Sequence, residues 1–305
     1  MRRLTREHVI YAFARGQAPA ITIESGDDIV VETLDSYNGC FNEGCTIEEY
    51  LRVRPNMSLN PATGPVAIRD LQPGDGLNVT ITDIRLADKG YVAVVPGIGV
   101  LGDGPLIPHV ARFDVRPDGL WYADRIRLPL RPNLGTIGVA PSTGTISTLA
   151  PGYHGGNLDC NDITTGTVIH FPVYVEAGLL ALGDVHASMG FGEVYSGVNI
   201  NADVTVRVER VPGAGWERIW FETETNLMIP GIAATVEDAI REAVAGMTSL
   251  LQHTLDVSFT EAVALTGAAC DIRSGQTSQF GVDVSVYAVM PKAVLEGSGA
   301  AARNA

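Results

Sequence analysis

Apolar and polar residues alternate with a period of two along most of this chain, in short runs broken by Gly, Pro and Asp. The runs ITIESGDDIVVETLD (21–35), GPVAIRDLQPGDGLNVTITDIRL (64–86), YVAVVPGIGVL (91–101) and GTVIHFPVYVEAGLLALGD (166–184) place β-branched residues between frequent turn signals, which predicts strands. From residue 200 the expected strands lengthen: Val204, Val206 and Val208 alternate with Thr205, Arg207 and Glu209, RIWFETE (218–224) follows, and GVDVSVYAVMPK (281–292) closes the pattern.

The period changes once. In TVEDAIREAVAGMTSLLQH, Val236, Ile240, Ala243, Val244, Met247 and Leu251 fall at helical spacing behind Thr235, a candidate N-cap. In DVSFTEAVALTGAACDI, Ser258 and Glu261 have capping-box spacing ahead of an apolar run. The expected class is therefore α+β, mainly β, with barrel-like β layers and a helix pair near the C-terminus. Gly26-Asp27 and Gly74-Asp75 each lead into a run ending in Asp, at Asp35 and Asp83, with the same spacing, which suggests an internal duplication. The segment 101–160 mixes glycines and prolines with apolar residues, unlike a flexible linker, so one continuous unit over 1–305 is expected, with a frayed tail at 296–305.

Composition narrows the partners. Thirty-five acidic side chains against 21 basic ones leave a formal charge of −14, which repels nucleic acid and anionic membrane surfaces and favours a small neutral or cationic ligand. No segment is apolar over the roughly 18 residues that a spanning helix needs, and MRRLTREHVIYAF lacks the apolar core of a secretory signal. The four cysteines, at 40, 45, 160 and 270, form no CxxC pair or disulfide framework, so a cytoplasmic protein with reduced thiols is expected.

There is no GxSxG elbow, P-loop, strand-to-helix GxGxxG or HExxH. What carries chemistry is a set of polar clusters in glycine-rich turns. GDVHASMGFGEV (183–194) holds Asp184, His186 and Glu193. PGYHGGNLDCND (151–162) holds His154, Asn157, Asp159 and Asp162. ETLDSYNG adds Glu32 and Asp35, and SLNPATGP adds Asn60. A hydrolytic metal site needs three or four such ligands, an open position and a carboxylate that takes a proton. Asp184 and His186, two apart, would face the same side of a strand. An Asp in a Gly turn is more commonly a solvated cap, however, and a His in an apolar strand, such as His170, is more commonly packed. Cys160, Cys270, Met189 and Phe191 read as packing residues. On residue types alone a metal-dependent hydrolase is one reading among several.

The phrases APGYHGGNLD and LLALGDVHASMGFGEV resemble the acetamidase/formamidase family. So do VVETLDSY (30–37), NPATGPVAIRDLQPGD (60–75), VVPGIGVLGD (94–103), LPLRPNLGTIGVAPSTG (128–144) and GAACDIRSGQ…VYAVMPK (267–292), in that order. The resemblance implies hydrolysis of small amides such as formamide or acetamide to a carboxylate and ammonia, in a mainly β fold, with a divalent metal (zinc) and homo-oligomeric assembly. It points to Asp35, Asn60, His154, Asn157, Asp159, Asp184, His186 and Glu193. Within that set Asp159, Asp184 and His186, with Asp35 and His154, are expected as metal ligands, Glu193 as general base, and Asn60 or Asn157 as the group orienting the amide. Lysine occurs only at 89 and 292, in no motif, which disfavours the Glu-Lys-Cys and Ser-Ser-Lys routes to the same reaction.

Two positions depart from the family pattern GDGEVCG: Phe191 stands where an acid is usual and Tyr195 where a cysteine is usual. Loss of that acid would weaken the metal site or reshape the pocket for a bulkier amide or lactam. Two competing functions follow from the same residues: a small-molecule binding protein without turnover, and a carbohydrate hydrolase using paired carboxylates, which the 7% aromatic content disfavours.

Overall fold

The structure, a computed structural model, describes residues 1–277 and 282–296. The alternating runs become the strands Ile21–Ile23, Asp28–Thr33, Ala62–Ile68, Gly76–Val94, Leu180–His186 and Asn199–Val211, all within one curled, largely antiparallel sheet of 19 strands among the described residues. The long Asn199–Val211 strand lies between Asp28–Thr33 and Gly76–Val94. Val204, Val206 and Val208 point inward with Ile29, Val31, Val79 and Ile81, all fully buried. Each such side chain stabilises the fold by roughly 1.5–3 kcal/mol relative to exposure.

The two GD segments fold alike. Glu24 and Gln72 each receive a backbone hydrogen bond from the Asp three residues on, whose carboxylate accepts from the first residue's N–H in return. Gly26 and Gly74 supply the positive φ, +92° and +90°, that such turns require. Each turn then feeds a strand paired with Asn199–Val211, so the repeated spacing corresponds to a repeated turn and strand.

The helices Val236–Leu255 and Phe259–Ala269 begin at Thr235 and at the Ser258–Glu261 capping box, as their sequences predict. The first lies across the strands Asn226–Ala233 and Val284–Pro291 and buries Ala239, Ala243, Met247 and Leu251. Val236, expected on that face, is 45% exposed because it occupies the first turn, before the helix reaches the sheet. Among the described residues no helix is long and apolar enough to cross a membrane. The tail expected at 296–305 lies outside the described residues except for Glu296, the last residue of the Ala293–Glu296 helix.

The expectation of reduced thiols is corrected at one pair: Cys40 and Cys45 form a disulfide. The turn that donates Cys45 N–H to Cys40 C=O brings their Cα atoms to 5.3 Å, within bridging range. Cys160 is a buried free thiol, and Cys270 is only partly buried.

Candidate functional site

Strand register gathers the polar residues at one end of the sheet. The Leu180–His186 strand pairs with Asn133–Gly138, placing Asn133 opposite His186, while Thr136 of that strand stands opposite Asn157 of Gly155–Asn157. On its other side Leu180–His186 meets Ala62–Ile68, with Gly183 opposite Ala62, two residues after Asn60. Asp159 follows two residues after Asn157, and Leu158 between them is anchored through its carbonyl by the hydroxyls of Tyr287 and Ser285. Glu193 arrives on the loop between Ala187 and Val198, whose ends are tied by paired backbone hydrogen bonds. Its side chain is 6% exposed, although Phe191 and Val194 on either side are 44% and 66% exposed.

Asp159, His186 and Glu193 bring one ligand atom each to within 4.8 Å of one another, a buried group that could hold a metal ion. Asp184 stands beside them, its Oδ1 3.4 Å from His186 Nε2. Three carboxylate oxygens in this cluster, Asp159 Oδ1, Asp184 Oδ1 and Glu193 Oε2, are buried without a hydrogen-bond partner. Unspent buried oxygens are costly and call for a cation, a proton or a ligand. Burial first, then the Asp184 charge, pushes the Glu193 carboxyl up to about 8. Burial also raises Asp184 and, reinforced by Glu193 and Asp184, holds Asp159 well above the carboxylate range, while it lowers His186.

The space for these groups depends on Gly135. A Cβ there would sit 2.7 Å from Asp159 Oδ1 and 2.8 Å from Asp184 Oδ2, inside the cluster.

The amide residues divide by role. Asn60 Nδ2 donates to Thr136 Oγ1, to the Thr148 carbonyl and to Asn157 Oδ1, which fixes the amide plane and leaves Oδ1 unpartnered. Asn157 is spent at both ends: its oxygen accepts from Asn60 and Thr136, and its nitrogen donates to Asp159 at 2.6 Å and to Gln276 at 3.2 Å. It therefore holds Asp159 in place.

The other two expected ligands lie apart from the group of three. Asp35 accepts from the backbone N–H of Tyr37 and Gly39 and from Asn42, so both its oxygens organise the loop that leads to Tyr37. His154 packs edge-on against Phe13 with both ring nitrogens unpartnered, and burial lowers it to about 4.

An open cavity of about 300 Å³ reaches two members of the cluster, Asp184 and Glu193. Asp184, Glu193 and Asn60 line its acidic end, with Leu59, Val95, Ile98 and Leu149 as apolar walls and Tyr50, Arg54 and Tyr195 also on its surface. Phe191 is not among the lining residues; its ring faces the Arg273 guanidinium at 5.4 Å. Tyr195 is the departure that reaches the cavity, its hydroxyl bound at Val95 N–H and the Ala93 carbonyl. Asn133, Thr136, Gly135 and Arg54 were not singled out from the sequence. Their roles come from cross-strand and cross-loop register, and the one local signal, Asn133-Leu134-Gly135 in a glycine-rich phrase, is nonspecific.

The profile of the Acetamidase/Formamidase family matches residues 16–148 and 143–286. A formamidase of Methylophilus methylotrophus is 49% identical over 230 residues, 56% of this chain and 56% of that protein. An acetamidase of Mycolicibacterium smegmatis is 29% identical over 159 residues, 45% of this chain and 39% of that protein. The matched regions thus span about half, or less, of the curated relatives' length. Among solved structures, an acetamidase from Bacillus halodurans superposes with a TM-score of 0.91 at 33% identity, covering 97% of this chain and 99% of that one. A gamma lactamase from Delftia acidovorans, at 19% identity and a TM-score of 0.64 over 94% of this chain and 89% of that one, shares the fold.

Proposed function

The chain belongs to the acetamidase/formamidase family, and from that premise we propose that it hydrolyses a small aliphatic amide to a carboxylate and ammonia in a metal-dependent reaction. The observation that carries this reading is the buried cluster of Asp159, Asp184, His186 and Glu193, with three unpartnered oxygens, opening into a cavity beside an unpartnered amide oxygen.

The residues fit a divalent cation. Asp159, His186 and Glu193 would hold it, and a Cβ at Gly135 would fill the space between Asp159 and Asp184. A mixed imidazole and carboxylate set suits zinc. Bound there, the cation would supply Lewis acidity and lower the cost of deprotonating water.

The remaining work falls to the chain. Asn60 Oδ1 accepts a hydrogen bond from the substrate NH2 and sets the amide plane. Asp184 Oδ1 takes a proton from the attacking water and returns it to the departing nitrogen. Relative to the sequence expectation this exchanges the parts of Asp184 and Glu193, because Glu193 is in the group of three. Asn157 and Asn133 act behind these residues, on Asp159 and on His186. The binding-protein alternative rested on Phe191, which lies outside the cavity lining.

Purified protein supplied with zinc is expected to release ammonia from formamide, acetamide or propionamide. Silence across that panel with the cation bound would contradict the reading. Assembly as a homo-oligomer, which the family resemblance implies, is checked by light scattering.

A further inference from the structure

The wall of the cavity carries a cation that the reaction does not use, Arg54. The Ile47–Val53 helix starts at a capping box formed by Thr46 and Glu49 and turns Tyr50 inward, 2% exposed. Arg54 follows one helical turn later, on the same face, and lines the cavity with Tyr50. Its guanidinium stands beside the Tyr50 and Tyr195 hydroxyls and forms no ion pair among the described residues.

The cavity is therefore bipolar, with Asp184 and Glu193 at one end, Arg54 elsewhere on its wall, and Leu59, Val95, Ile98 and Leu149 also lining it. Its size points the same way. Acetamide has four non-hydrogen atoms, whereas about 300 Å³ is room for roughly ten waters at about 30 Å³ each.

We propose that the preferred substrate is the monoamide of a short dicarboxylic acid, its carboxylate held by Arg54, its methylenes on the apolar wall and its amide at Asn60 and Asp184. The inference rests on the amidase reading and adds the substrate class. The reaction balances as −OOC–R–CONH2 + H2O → −OOC–R–COO− + NH4+. Arg54 attracts the substrate carboxylate, whereas the Asp184 carboxylate and the Asn60 amide oxygen repel it, so the molecule is oriented with its amide at the cluster.

The test compares ammonia release by the zinc-loaded protein from succinamate and from 4-oxopentanamide, which replaces the carboxylate with a methyl ketone. Malonamate, glutaramate and acetamide complete the panel. A charge-assisted guanidinium contact predicts a kcat/KM about 10- to 100-fold higher for succinamate than for the ketone. Arg54→Met should remove that preference chiefly through KM, Arg54→Lys should restore part of it, and Arg54→Glu should shift it toward the cationic 3-aminopropanamide. Release from neutral amides with no preference for the anionic ones would overturn this inference and leave the amidase reading standing. No release from any amide would overturn both. Should the Arg54 variants fail to fold, stabilisation of the wild-type protein by succinate but not by pentanamide supports the same contact, and equal or no stabilisation opposes it.

Discussion

Two buried histidines in this molecule sit beside carboxylates and serve opposite ends. His170 stacks on Trp220 at 3.6 Å, meets Asn78 at 2.8 Å and faces Glu222 at 3.4 Å, and Glu222 in turn pairs with Lys292 at 2.8 Å. The imidazole contact, with Lys292 behind it, holds the Glu222 carboxyl down at about 2. Charge there is compensated within the fold. His186 stands among three carboxylates with no lysine or arginine paired to them among the described residues, and burial drives those carboxyls up. The same residue types thus make a structural joint where a lysine pairs with the carboxylate and a candidate site where three carboxylates crowd one imidazole and leave buried oxygens without a hydrogen-bond partner.

Substitutions on the two sides should separate rate from stability. Asp184→Asn keeps the size of the side chain but not its capacity to take a proton, so ammonia release should fall about 10²- to 10⁴-fold with the melting temperature unchanged or raised. A rate within a few-fold of wild type would remove Asp184 from the reaction. Gly135→Ala pushes a methyl group against Asp159 and Asp184, and cation affinity, read by competition with a chelating dye, should fall at least about 10- to 100-fold. Unchanged affinity would show that the cluster does not need that space.

On the compensated side, His170→Ala should destabilise the fold by about 1–3 kcal/mol in urea denaturation, by stranding Asn78 and uncovering Trp220. Its kcat should match wild type, and a large loss of rate without loss of stability would break the contrast. The two sides differ also in a pH trend of the cation-free protein. Glu193 is raised from about 4.5 to about 8 on folding, so between those values the folded state holds a proton that the unfolded state has released. Stability from this group is full below the lower value and is lost as pH rises through the higher one. Thermal denaturation should therefore show a melting temperature that falls from pH 5 to pH 8, with bound zinc reversing the trend.

Much of this was legible in the sequence where the signal is local. Period-two runs marked the strands, and Thr235 and the Ser258–Glu261 pair marked where the two helices begin, because caps and alternation act over a few residues. Asp159, Asp184, His186 and Glu193 stand out in the sequence as polar residues in glycine-rich turns, although alternation alone does not bring Asp184 to His186. Asp184 has φ of +55°, outside regular strand geometry, so its approach to His186 comes from the local bend and from the neighbouring strands. Asn157 and Asp35 looked like reactive residues and are saturated by hydrogen bonds, a property set by partners that local pattern does not show. Arg54 and Tyr195 meet in the cavity across 141 positions of sequence, and Phe191, the more conspicuous departure, faces outward.

On the proposed reading, the unspent oxygens around His186 hold a cation that the reaction needs. Metal analysis of the purified protein, paired with ammonia release from acetamide before chelation, after it and after zinc is restored, tests this most directly. The expected result is one divalent ion per chain, activity lost with the ion and regained with it, and neither in Asp159→Asn. Full ammonia release from protein stripped of metal would contradict it.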